Sequence, residues 1–176
     1  MLNTNQVYYK LLFLNLLLIL GNSCQKSKLK SIIRGNYQNV LSQSKGPLLV
    51  TRSSNSLEGG QKNGLLFRDQ IYMVTTSTGF TYCYIDKSII ITLIQVYELN
   101  TFTFWLWDRG ARQYSLIVYT SFKDKEKVIF DSTVATGIIK IKFSNQHIQS
   151  FRIYNRNGNE ITDRINLIKV EAYFRL

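Results

Sequence analysis

With 176 residues, and 22 Lys and Arg against 11 Asp and Glu for a formal net charge of +11, the chain is one ordinary domain plus room for a terminal extension. Two cysteines without CxxC spacing exclude a disulfide framework and a cysteine zinc site, and a single histidine, His147, excludes a histidine metal cluster, so neither metal nor other cofactor is expected. A composition rich in Ile, Tyr and Phe and poor in Pro favours strands.

Residues 1–23 contain Lys10, a mostly aliphatic run from Leu11 to Leu20, and then polar Gly21, Asn22 and Ser23. That is the charged, apolar, polar plan of a secretory signal, and the run falls short of the roughly 20 apolar residues a membrane span needs. A retained helix or an organelle-targeting segment fits the same residues, and the absence of any Asn-x-Ser/Thr sequon leans against secretion. Both readings stay open: a cleaved signal implies a secreted product, a retained segment an intracellular one. Residues 24–46 are polar, basic and aperiodic and read as a linker ending at Pro47. No acid precedes Glu58, whereas Lys10, Lys26, Lys28, Lys30, Arg34, Lys45 and Arg52 do. Such a surface suits anionic partners without choosing among them.

From Pro47 the pattern changes to short β-branched and aromatic runs between turn signals. Strands are expected near 47–51, 71–75, 79–85, 88–95, 99–107, 114–121, 126–130, 138–143, 149–155 and 166–174. In GIIKIKF, Ile139, Ile141 and Phe143 face one way and Lys140 and Lys142 the other. In LIKVEAYF, Ile168, Val170, Ala172 and Phe174 oppose Lys169, Glu171 and Tyr173, and both runs read as half-solvated outer strands. SIIITLIQ and TFTFWLWD are bulky on both faces and read as central or covered strands. The expectation is an all-β antiparallel sandwich or jelly roll over 47–176, with residues 1–46 outside it.

The motifs between the strands read mostly as turns. EGGQKNG, 58–64, lacks the Gly-Lys-Ser/Thr ending of a phosphate loop. KDKEK, 123–127, is a solvated hairpin end, and NRNGNE, 155–160, is a turn with Asn157 and Gly158 at positive backbone angles. His147 reads as a solvent-facing or turn residue. Glu98, Asp108, Asp131, Glu160 and Asp163 fall in or next to turns and form no catalytic pair visible in the sequence. With no Cys–His pair, serine elbow or metal cluster, the chain is not expected to be an enzyme. In WLWDRGARQYSL, 105–116, Trp105, Leu106, Trp107, Tyr114 and Leu116 are expected to pack the strands, while Asp108 and Arg112 are close enough to pair across the turn.

The run GFTYCYIDKSIIITLIQVYELNTFTFWLWDRGARQYSLIVYTS resembles the discoidin-like domain, a galactose-binding-like sandwich related to coagulation-factor type C modules. It is nearest to the version found among relatives of BTB/POZ domain-containing protein 9. The residues carrying the likeness are Gly79, Phe80, Thr81, Ile89 to Leu93, Asn100, Leu106, Trp107, Asp108, Arg109, Arg112, Tyr114 and Ser115. IQSFRIYNRNG and INLIKVEAYF match the family's closing strands. The likeness covers about residues 47–174, and Leu-Trp-Asp-Arg-x-x-Arg-x-Tyr is its specific part. Departures are plain: these residues contain no BTB or BACK segment, SFKDKEKVIF lacks the tryptophan that follows the hairpin, and the segment before IIKIKF lacks an aromatic.

What the resemblance implies is a non-enzymatic binding module. Its main reading is an adaptor making protein contacts, an acidic partner surface among the options; the alternative is a secreted or surface lectin-like module for glycan or acidic phospholipid. Nucleic acid is disfavoured because the basic residues are spread along the chain. By family position the binding loops are 51–64, 75–79 and 108–113. They bring Arg52, Lys62, Arg109 and Arg112 to one rim with Ser53, Asn55 and Asn63, while Trp107, Asp108, Arg112 and Tyr114 form the structural signature.

Overall fold

The two bulkiest runs, 88–95 and 99–107, belong to a single strand. The computed structural model describes residues 38–49, 56–57, 65–68, 80–107 and 111–175. Within them the strands are β1 (Leu48–Leu49), β2 (Ser56–Leu57), β3 (Thr81–Tyr84), β4 (Ser88–Leu106), β5 (Tyr114–Phe122), β6 (Lys125–Ala135), β7 (Ile138–Asn159) and β8 (Arg164–Tyr173). All pairings are antiparallel along the path β2-β3-β8-β4-β7-β5-β6, with β1 on β4.

This path doubles back because β4 and β7 bend together. The first part of β4, 88–92, pairs with 150–154 of β7, which continues onto β5 and β6; the last part, 101–105, pairs with 138–142 of β7 and also with β8. Between the halves, residues 93–96 of β4 face only Gln149, and Asn100 faces 143–145 of β7. Extra residues on alternate strands turn a sheet through a corner. Asn100 fastens that corner: its amide donates to Asn145 Oδ1 at 3.0 Å and to the Arg175 carbonyl at 2.5 Å, while its Oδ1 accepts from the Arg175 N–H at 2.8 Å. The result is the expected all-β sandwich.

Phe102 of one layer and Phe151 of the other stack at 4.3 Å and 14° across the interior, a pair worth about 1 kcal/mol beyond its buried area. Leu99, Phe104, Leu116, Val118, Ile148, Ile153, Leu167 and Val170 complete the core around them. Cys83 is buried there, and desolvation pushes its thiol up to about 12, which leaves it unreactive.

Several expectations need correction. The runs 138–143 and 149–155 are likewise one strand, because the bend is made by bulges and not by a chain break. β8 is not half-solvated. It lies between β3 and β4 with Lys169 only 4% exposed, its ammonium 2.8 Å from Glu171 and 5.3 Å from the Trp105 ring centroid. Glu98 and Asp131 lie within strands, and Asp131 is ion-paired with Arg156. Val40 and Leu41, inside the stretch read as linker, are core residues; the Val40 N–H donates to the Ala172 carbonyl, and Asn39 Oδ1 accepts from the Ala172 N–H. The 71–75 strand and the EGGQKNG turn lie outside the described residues. The KDKEK reading holds: Lys123 and Asp124 both take left-handed angles between paired Phe122 and Lys125, a two-residue hairpin turn.

NRNGNE is a bulge continuing β7, with the turn displaced to 160–163. Gly158 alone has the positive angle, φ 63°, and a Cβ there would press on Thr162 and Asp163 backbone. The fully buried Asn155 holds this region: its Oδ1 accepts from the Gly158 N–H at 2.6 Å, and its amide donates to the Cys83 and Asp163 carbonyls, each at 3.0 Å. Asn155→Ala should cost about 3 kcal/mol, since it strands buried backbone groups on three strands or turns at once. Urea unfolding of the variant checks this.

On the outer face of β5–β6–β7, Arg152 lies 3.9 Å above the Tyr119 ring and grips Glu126 with two nitrogens at 2.7 and 2.5 Å. That hydrogen bonding lowers the Glu126 carboxyl against a smaller opposing effect of burial. A depressed folded value stabilises the fold above the unfolded glutamate range and fades as pH falls through the folded value. The pair is partly exposed, so Glu126→Gln should lose under about 1 kcal/mol at pH 7. The gap in urea midpoints between the two proteins should shrink by pH 3.

Candidate functional site at the loop end of the sandwich

Three connections meet at one end of the sandwich. The Ile85 N–H donates to the Asp163 carbonyl, the Asp86 N–H to the Asn155 carbonyl, and the Gln113 N–H to Glu160 Oε2 at 2.9 Å. The β3–β4 turn, segment 111–113 and the β7–β8 turn are thereby tied together. Arg52, Ser53, Asn55, Lys62, Asn63, Asp108 and Arg109 lie outside the described residues. Arg112, Trp107 and Tyr114 are brought into one cluster.

Ala111 enters it in a left-handed conformation, φ 53°, unusual for a residue with a Cβ. Next to it, the Arg112 guanidinium lies 4.4 Å from the centroid of the Trp107 ring, cation–π packing. Trp107 in turn meets Phe80 at 5.1 Å and 34°. The fully buried Tyr114 donates its hydroxyl to the Trp107 carbonyl at 2.7 Å. Tryptophan, arginine and tyrosine thus act together as the brace of this connection, and Glu160 supplies the carboxylate that secures its backbone.

The brace continues into a feature that sequence reasoning missed. Phe80, immediately before β3, and Tyr82 and Tyr84 of β3 form an aromatic ladder at alternate positions, with centroids 6.1 Å and then 5.6 Å apart. Arg164 of β8 lies 4.7 Å from the Tyr82 ring centroid. Exposure rises along the ladder, from 7% at Phe80 to 48% at Tyr84. The Tyr82 hydroxyl, hydrogen-bonded to Tyr84, holds the Tyr84 phenol above its ordinary value. Asn166 stands opposite Tyr82 in register and shares its face; its Oδ1, with Trp107 Nε1 and Arg112 Nε, is buried without a hydrogen-bond partner. The signal was present in GFTYCY, whose aromatics alternate, but period two alone reads equally as a core face. No group of three His, Cys, Asp or Glu side chains converges on a metal position among the described residues.

This bent, two-layer antiparallel arrangement is the galactose-binding-like, or discoidin-like, β-sandwich. Solved structures with this fold are similar to it. The first family 32 carbohydrate-binding module of a family 31 glycoside hydrolase from Clostridium perfringens is 16% identical, with a TM-score of 0.57 over 78% of this chain and 99% of that one. Chitosan-binding module 1 from a chitosanase/glucanase of Paenibacillus sp. IK-5 gives the same identity, TM-score and coverage. A Clostridium perfringens family 32 module solved with GalNAc-β-1,3-galactose is 11% identical, TM-score 0.54, over 72% of this chain and 93% of that one. No protein-family profile matches the chain, and no curated protein does.

If Tyr114 braces the loop as described, Tyr114→Phe should cost about 1 kcal/mol through the lost bond to the Trp107 carbonyl. Trp107 emission should also shift, and thermal melts with fluorescence detection report both.

Proposed function

We propose that the chain is a non-catalytic glycan-binding module that meets sugar at the loop end. The observation that carries the reading is the partly exposed Tyr82–Tyr84 edge with Arg164 against it, beside three mutually tied connections. An aromatic ring offers a face for the C–H side of a sugar, and adjacent arginine donors suit its hydroxyls. Sandwiches of this fold solved as carbohydrate-binding modules, one bound to GalNAc-β-1,3-galactose and another described as chitosan-binding, support it. Arg52, Lys62 and Arg109, with Ser53, Asn55 and Asn63, belong to the same proposal by family position, as donors on the flanking loops. The protein-adaptor reading and the tie to BTB/POZ domain-containing protein 9 relatives rest on the sequence resemblance alone.

Titration of the chain with galactose, GalNAc and chitosan oligosaccharides in a calorimeter tests the proposal. At least one sugar should bind, and Tyr84→Ala/Arg164→Ala or Arg52→Ala/Lys62→Ala/Arg109→Ala should weaken it about tenfold, equivalent to 1.4 kcal/mol. Binding to none of the three, or full affinity in both variants, overturns the reading and favours protein contact.

A further inference from the structure

The corner in β7 opens a second concave surface at the far end of β5 from segment 111–113. There β7 leaves β5 after the Ser121–Ser150 pair to follow the bend of β4. The groove encloses about 330 Å³ and is lined by Thr120, Ser121, Phe122, Lys125, Glu126, Lys127, Gln146 and His147. That volume is within the range of small-molecule sites, roughly 300–1,000 Å³.

We propose that this groove is a second binding site, for one anionic sugar unit carrying a carboxylate or sulfate. It does not depend on the loop-end reading. Phe122 and the exposed His147 stack at 5.6 Å and 30°, an aromatic pair at the groove that leaves ring surface open to solvent. Around it stand hydrogen-bonding groups: Gln146, whose amide donates to Thr120 Oγ1 at 3.2 Å, and Ser121, whose hydroxyl meets that of Ser150. Lys125 and Lys127 are exposed, the latter 3.5 Å from Ser144 Oγ, and Lys123 lies 5.3 Å from the Phe122 ring centroid.

The acids nearby offset only part of this charge, since Asp124 and Glu98 stand against Lys123, Lys125 and Lys127. Glu126, the one carboxylate in the lining, is engaged by Arg152 through two nitrogens. Asp124 sits at the hairpin tip, and Glu98 stands opposite His147 in the β4–β7 register. An anion therefore finds lysine donors in the groove for charge-assisted hydrogen bonds. An aromatic pair edged by an amide and hydroxyls suits a pyranose, whose C–H face packs on a ring while its hydroxyls meet the polar groups.

His147 is the only histidine in the chain, so its ring C–H proton is a single reporter inside the groove. The full chain is titrated by NMR with trigalacturonate, a sulfated galactose disaccharide, galactose and a hexaglutamate peptide. One or both anionic sugars should shift the His147 signal along a saturating curve, distinguishing carboxylate from sulfate, and galactose should not. Lys125→Glu/Lys127→Glu, two exposed positions that do not disturb the core, should weaken that binding about tenfold or more, while Tyr84→Ala leaves it unchanged. An unmoved His147 signal with both anionic sugars, equal affinity in the double variant, or hexaglutamate binding as tightly as the sugars overturns the proposal. Because galactose at the loop end is followed through Tyr84→Ala, failure there and failure here are separate results.

Discussion

The antiparallel pairing of β4 with β7 is the constraint on which the molecule is built. Each strand crosses from one layer to the other, so a single register sets both sheets and the corner that joins them. The bulges at 93–96 and 143–145 turn the pair, and Asn100 secures the turn to the chain's last residues. Once the corner is fixed, Phe102 and Phe151 are bound to meet in the interior. The remaining strands add to one side or the other of this pair, and both candidate surfaces are by-products of its geometry: the connections gather at one end and the groove opens at the other.

The polar residues divide by whether their bonding is spent within the fold. Asn155, with three bonds to backbone, is an internal fastener, and Arg152 is occupied by Glu126 and Tyr119. Arg112 spends its charge over Trp107. Arg164, Lys125 and Lys127 stand nearer solvent, beside aromatic rings at opposite ends of the sandwich. A net charge of +11 by itself located neither place, because most of the basic residues lie outside both.

Much of the fold was legible because strand formation is a local matter of alternation. Ile141 buried with Lys140 and Lys142 exposed follows directly from period two, as does the covered state of TFTFWLW. The hairpin at Lys123–Asp124 was legible from composition. Trp107, Arg112 and Tyr114 were recognisable as a signature, but the packing of Arg112 on the Trp107 indole was not, because it depends on the backbone path through Ala111; the expected Asp108–Arg112 pair involves Asp108, outside the described residues. Lys169 was misread for a related reason. Its alternation says only that it faces away from Val170, and what covers that face is set by distant chain.

By itself the sequence determined the strand-forming character of the chain, the faces of its individual strands and, through its single histidine, the exclusion of a histidine metal cluster. Those properties belong to each residue and its near neighbours. Only the tertiary structure decided that 88–106 and 138–159 are continuous bent strands, that Val40 and Leu41 join the core, and that Phe122 and His147 share one groove. Each of these depends on register between segments far apart in the chain, and register is fixed by the packing of the whole sandwich.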